Sequence, residues 1–75
     1  MPHYHFNLRS PEGLSRDEEG IQHRNLREAL QDAHRTKERY LEDAAAEGRD
    51  DGDCSFEITD PMGIVLRRVR FRALH

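Results

Sequence analysis

Four arginines lie close together near the end of the chain: Arg67, Arg68, Arg70 and Arg72. Guanidinium groups stay charged and donate paired hydrogen bonds to phosphate, so a β-strand of this composition can contact the phosphates of a nucleic acid. The formal net charge of −3 and the lack of an aromatic pair to stack on bases argue against that function. The sequence favours the alternative, in which the arginines protect an edge strand from aggregation and pair with Glu57 and the acidic loops.

Two histidines near the start of the chain, His3 and His5, are spaced so that both imidazoles project from one face of a strand. That spacing can chelate a divalent transition metal. A metal site needs three or four ligands with supporting groups, and beyond His75 the sequence suggests no further ligand. We therefore expect two solvent-facing histidines, with a metal-responsive protein as an alternative.

The other groups with chemical potential are a lone cysteine and two acidic clusters. Cys54 has no partner for an intrachain disulfide, and its place in an apolar alternation predicts a small buried side chain. The clusters at 17–19 and 50–53 lack the twelve-residue register of a calcium-binding hand. The sequence therefore predicts no metal site there, no catalytic residue and no cofactor.

Size and composition also bear on the class of protein. A chain of 75 residues forms at most one domain, spanning 1–75, and a pocket of roughly 300 Å³ or more would consume much of its core. With 35% hydrophobic residues it still has enough core-forming residues to fold. We expect a folded domain that is not an enzyme.

The segment 3–9 alternates polar and apolar side chains, which predicts a half-buried first strand. Turn residues at 10–13 and acidic residues at 17–19 predict a loop as far as Ile21, whose side chain we expect to fix the end of the loop to the core. A helix then begins at Asn25, with Glu28 as its capping-box partner, and ends at Gly48.

A second strand is predicted over 54–59 and a third from Ile64. The turn at 60–63 holds proline and glycine, so the two strands form an antiparallel hairpin. The alternation changes phase in the third strand, which indicates a bulge near Arg67 and Arg68. The predicted fold is α+β with βαββ order: one long amphipathic helix packs on one face of a three-stranded sheet, and the other face is bare.

An apolar stripe runs along the second half of the helix, and it includes Tyr40, Leu41 and Ala44. The helix is longer than short strands can cover, so we expect its last turns to overhang the sheet. An exposed stripe on a small domain commonly pairs with a second copy. This pattern predicts a homodimer or a protein partner that contacts these three residues.

The chain starts without a leader-like segment, and no apolar run reaches the length of a membrane span. Together with the single cysteine, this predicts a cytoplasmic protein that does not enter a membrane.

The order of these segments resembles a family of short bacterial proteins catalogued as a domain of unknown function. Its marks here are a Tyr-x-Phe-x-Leu-Arg first strand, an acidic Asp-Glu-Glu-Gly loop, a helix and an Asp-x-x-Gly hairpin. These marks occupy 4–9, 17–20, Leu26, Ala29 and Ala33, and 60–63, together with Phe56 and Phe71. Members often carry proline where this chain has Arg70. The resemblance implies a fold and no activity.

The leading hypothesis is a non-enzymatic interaction module, homodimeric and bound to a protein partner. A nucleic-acid-binding accessory protein that uses Arg67, Arg68, Arg70 and Arg72 is the alternative, and a metal-responsive protein that uses His3 and His5 is a third.

Overall fold

A computed structural model describes residues 2–72 of the chain. In chain order the elements are β1 (His3–Ser10), β2 (Gly13–Ser15), β3 (Ile21–Gln22), α1 (Leu26–Ala46), β4 (Ser55–Thr59) and β5 (Val65–Arg70). One helix packs on one antiparallel sheet, which confirms the α+β class.

The sheet has the strand order β2-β1-β4-β5. The short strand β3 pairs with the first residues of β1, and β2 pairs with the last residues of β1. The prediction of three strands was therefore incomplete, because the segment expected to be a loop contains β2 and β3. They are only three and two residues long, too short for alternation to reveal. Ile21 lies in β3 opposite Tyr4 and is exposed, so its predicted role as a core anchor is wrong.

The core lies between α1 and the sheet, and Ile58 at its centre is fully buried. Phe56, Val69 and Phe71 surround it from the sheet side. The helix contributes Ala29 and Ala33, both 0% exposed, since small side chains let the helix approach the strands closely. The sheet and the helix therefore bury one continuous apolar cluster.

Both ends of α1 are capped as the sequence predicts. The Asn25 side chain accepts the Glu28 amide at 2.9 Å, while the Glu28 carboxylate reaches back to the Arg24 amide at 3.1 Å. At the other end Gly48 has a φ of 74°, a conformation that glycine adopts without strain. It allows the Arg49 amide to reach the Ala44 carbonyl at 2.7 Å, a Schellman-type ending.

The hairpin between β4 and β5 turns at 60–63, as predicted. The Asp60 carboxylate accepts the amides of Met62 and Ile64, each at 2.9 Å. Beyond the turn the register shifts by one residue, because Val65 pairs with Thr59 but Arg67 pairs with Ile58. The predicted bulge is confirmed, and the additional residue is Leu66.

The second face of the sheet is not bare in its middle. All five residues of β4 are buried, including Ser55, Glu57 and Thr59, which point away from the helix side. Longer side chains of the flanking strands shield this central strand, and Arg9 and Arg68 both reach across to Glu57. The exposed part of this face lies at the outer strands β2 and β5.

Candidate functional site

The four predicted arginines lie on β5 and just after it, but they have different surroundings. Arg68 forms an ion pair with Glu57 at 2.9 Å. Arg72 donates to both oxygens of Asp50, at 2.8 and 2.7 Å. Arg67 donates to the carbonyl of its neighbour Leu66. Arg70 makes no ion pair with any residue in 2–72.

Glu57 is the centre of a charged cluster on the sheet face. Its carboxylate oxygen Oε2 accepts Arg9 Nε at 2.7 Å and Arg68 Nη2 at 2.9 Å. The hydrogen bond from Arg9, and to a smaller extent the one from Arg68, lowers the pKa of Glu57 below its ordinary value. Burial of the carboxylate raises the pKa but does not cancel this effect. The expected pairing of the strand arginines with Glu57 is thus confirmed for Arg68, and Arg9 joins it from β1.

The strand register explains why these side chains meet. Arg9, Ser55 and Arg70 lie opposite one another across β1, β4 and β5. The next row on the same face holds Glu57 and Arg68. Cross-strand neighbours on one face are close enough for long side chains to touch. The fold therefore gathers arginines that are far apart in sequence.

A depression of about 350 Å³ lies over this part of the sheet. Its lining includes Ser55 and Asp53 together with four arginines, Arg9, Arg68, Arg70 and Arg72. Arg72 lies flat against Gly52, where a Cβ atom would overlap the guanidinium. The absence of a side chain at Gly52 therefore gives Arg72 its position beside the depression.

The polar connector before β4 supports this arrangement. The Gly52 amide, followed by Arg72, holds the pKa of Asp50 below its ordinary value. Cys54 is half-buried at the edge of the core. Burial, followed by the charges of Asp51 and Asp53, raises the pKa of the Cys54 thiol, so that the thiol stays protonated and a poor nucleophile.

His3 and His5 lie on one strand as predicted, with their ring centroids 5.3 Å apart. His3 Nε2 contacts the Glu19 carbonyl at 2.7 Å, and His5 Nδ1 contacts the Asp17 carbonyl at 2.6 Å. A carbonyl only accepts, so each of these ring nitrogens carries a proton and donates. Among residues 2–72 no three His, Cys, Asp or Glu side chains group as metal ligands, and His75 lies outside this range.

Asp17 is a structural residue that the sequence did not single out within its acidic cluster. Its two carboxylate oxygens accept the amides of Phe6 and Gly20, each at 3.1 Å. Its own amide donates to the Asn7 side chain at 2.9 Å. Asp17 thereby supplies hydrogen bonds to the part of β1 that pairs with neither β2 nor β3.

The predicted helix stripe is mostly internal. Ala44 is 1% exposed, and Leu41 packs against the core. The Tyr40 ring lies within 6.0 Å of the rings of Phe56 and Phe71, centre to centre, although part of it remains exposed. The predicted overhang is therefore wrong for Leu41 and Ala44, and only Tyr40 of the three residues is exposed.

The exposed apolar side chains are concentrated instead at the β4–β5 hairpin. Met62, Ile64 and Val65 are all exposed, the last two at 59% and 47%. They lead directly into β5, which is the last strand of the sheet. We call Val65–Arg70, with Ile64 before it, the β5 edge.

These features define residues 2–72 as a small α+β domain with one helix, a charged cluster around the buried Glu57 and an edge strand rich in arginine. The chain matches the family described as "Domain of unknown function (DUF6894)" over residues 3–72 and belongs to it. No curated protein and no solved structure matches the chain. Within 2–72 the helix is too polar to be a candidate for crossing a membrane.

Proposed function

We propose that this chain is a non-enzymatic interaction module, and that its β5 edge binds an extended acidic segment of a partner protein. The observation that carries the proposal is the position of β5 at the end of the sheet. Within the described residues no strand pairs with its outer side. An extended segment that adds to such an edge gains main-chain hydrogen bonds.

The main chain of β5 supplies the hydrogen-bonding groups for this addition. The Phe71 amide donates to the Cys54 carbonyl at 3.0 Å, so Phe71 bonds inward to the strand before it. Since the inward and outward directions alternate along an antiparallel strand, Arg70 and Arg68 direct their amides and carbonyls outward. An added strand would meet these groups.

The side chains of the β5 edge indicate the composition of the partner segment. Ile64 and Val65 offer apolar surface at one end. Arg68 and Arg70 follow on one face, and Arg70 has no carboxylate partner in residues 2–72. Opposite charges on neighbouring strands stabilise pairing, so the segment should carry apolar residues at one end and acidic residues beyond them.

A second copy of the chain fits this edge poorly. Two β5 strands paired antiparallel about their centre would set Arg67 of one copy against Arg68 of the other, and Val65 against Arg70. Like charges directly opposite one another destabilise a sheet. The arginines thus disfavour self-pairing, as expected for edge protection, while they favour an acidic strand.

The test is the binding of a capped peptide of about eight residues, with valines at one end and glutamates at alternate positions beyond them, measured by fluorescence anisotropy. We expect the double variant Ile64→Ser, Val65→Ser to bind about tenfold more weakly, because it removes the apolar contact. The matched control is Leu14→Ser, an exposed residue on β2 at the opposite edge of the sheet, which should bind as the unchanged protein does.

Three outcomes would overturn the proposal. In the first, a peptide with lysine in place of glutamate binds equally well. In the second, Leu14→Ser weakens binding as much as the double variant. In the third, a single-stranded oligonucleotide binds in a salt-dependent way while the acidic peptide does not, which would favour the nucleic-acid function of Arg67, Arg68, Arg70 and Arg72.

The homodimer predicted from the helix stripe is the competing proposal, and Tyr40 is the exposed residue that would form its contact. Sedimentation of the pure protein over a concentration series distinguishes it. A dimer that Tyr40→Ser abolishes, combined with no binding of the acidic peptide, would replace the strand-addition proposal by self-association.

A further inference from the structure

The depression over the sheet face has more positive charge than its own carboxylates balance. Arg9 and Arg68 share one carboxylate, and both contact the same oxygen of Glu57. Arg70 lines the same depression with no ion pair among the described residues. Arg72 beside them is paired with Asp50 and lies 3.9 Å from Asp53, which also lines the depression. Four guanidinium groups therefore stand against three carboxylates, and Arg70 is the one without a partner among the described residues.

Two of the arginines, Arg9 and Arg68, are held in place in the absence of a ligand. Each arginine donates only one N–H to Glu57, through Arg9 Nε and Arg68 Nη2. Each guanidinium has five N–H groups, and both side chains are 51% exposed. The remaining donors of Arg9 and Arg68 are thus available around the depression, on side chains whose positions a buried anion fixes.

We propose that this depression, whose lining also includes Ser55, binds the phosphate group of a small phosphate monoester through Arg9, Arg68 and Arg70. The terminal phosphate of a monoester has three free oxygens, which can accept hydrogen bonds from all three guanidinium groups at once. Its oxygens point in several directions and suit guanidinium groups that arrive from two different strands.

The size of the depression is consistent with a small ligand. Its volume of about 350 Å³ is near the lower end of the usual range for small-molecule sites, which begins at roughly 300 Å³. The phosphodiester of a nucleic acid has only two free oxygens and would accept fewer of these hydrogen bonds. The site shares Arg68 and Arg70 with the proposed contact to an acidic segment, but Ile64 and Val65 do not line the depression. The Ile64→Ser, Val65→Ser variant should therefore lose strand addition and still bind phosphate.

The test is a titration of the ¹⁵N-labelled protein with inorganic phosphate, glycerol 3-phosphate and dimethyl phosphate at constant ionic strength. The amide signals of Ser55 and Arg70 should shift and saturate with the two dianions. Arg70→Gln should weaken binding about tenfold. This variant leaves the Glu57 ion pairs intact, so loss of folding does not obscure the result.

The matched control is Arg67→Gln, on the same strand but outside the lining of the depression. It should bind phosphate as the unchanged protein does. The proposal is wrong if Arg67→Gln weakens binding as much as Arg70→Gln, since the attraction would then be nonspecific. It is also wrong if dimethyl phosphate binds as tightly as the dianions, or if the shifts do not saturate. Saturation by inorganic phosphate but not by glycerol 3-phosphate would assign the site to the free ion and contradict the monoester.

Discussion

Replacing Glu57 with alanine is expected to lower the free energy of unfolding by about 2 kcal/mol. The residue is 4% exposed and accepts two hydrogen bonds from charged groups. Breaking a fully buried ion pair costs roughly 3–5 kcal/mol, but Arg9 and Arg68 are half exposed and regain water when the carboxylate is removed. Urea denaturation followed by circular dichroism measures the change.

Two further variants make this measurement specific. Glu57→Gln keeps the shape and one acceptor oxygen, so its loss should be about half as large. Glu38→Ala removes an exposed glutamate from α1 and should change stability by less than about 0.5 kcal/mol. If Glu57→Ala is as stable as Glu38→Ala, the charged cluster does not hold the sheet together.

The cluster also predicts how stability depends on pH. The folded-state pKa of Glu57 lies below its ordinary value of 4.5. As the pH falls below 4.5, the unfolded chain takes up a proton that the folded chain does not bind, so the contribution of Glu57 to stability decreases. The stability difference between the unchanged protein and Glu57→Gln should therefore shrink from pH 5 downward. A constant difference across this range would contradict the ion-pair assignment.

Replacing Asp17 with alanine is expected to cost about 2 kcal/mol and to release the segment between β2 and β3. The carboxylate accepts the backbone amides of Phe6 and Gly20, and hydrogen bonds to a charged acceptor contribute more than neutral ones. Amide hydrogen exchange at Phe6 and Gly20 should become faster, while that of Ile58 in the core should follow only the change in global stability.

The neighbouring residue provides the control for this prediction. Glu18→Ala alters an exposed side chain of the same cluster and should leave both amides and the stability unchanged. Equal effects of the two substitutions would mean that the net charge of the segment matters, and not the hydrogen bonds of Asp17.

The parts of the fold with strong local signals were predictable from the sequence. Asn25 and Gly48 mark the ends of the helix because capping depends on the residue type at one position. The alternation around Phe56 and Ile58 defines β4, and the turn at 60–63 defines the hairpin. Each of these signals is local and does not require knowledge of which strands are neighbours.

The remaining features depend on tertiary contacts that no local pattern encodes. β2 and β3 are stabilised by their pairing with β1 and by the hydrogen bonds of Asp17. In the sequence Asp17 is one of three adjacent acidic residues, and nothing distinguishes it from the other two. The helix stripe was assigned to the surface because the cover of Leu41 and Ala44 comes from elements elsewhere in the chain. Met62, an apolar residue in the turn at 60–63, was a sequence signal for the apolar start of the β5 edge.

The charged cluster was predictable only in part. The sequence predicted that arginines of the third strand pair with Glu57, but the register decides which arginines meet it, and the pairing of Arg9 with Glu57 was not predicted. The bulge at Leu66 sets that register, and with it the positions of Arg68 and Arg70 beside the depression. A shift of one residue would turn these side chains to the other face.

Hydrogen exchange of the β5 amides in the presence of the glutamate–valine peptide tests the proposed function most directly. The outward amides of Arg68 and Arg70 should exchange at least about tenfold more slowly when the peptide is bound, since strand addition gives them new acceptors. The inward amides of Val69 and Phe71 should change little and serve as internal controls. Unchanged exchange at Arg68 and Arg70 with peptide bound, or slowing confined to α1, would contradict binding at the β5 edge.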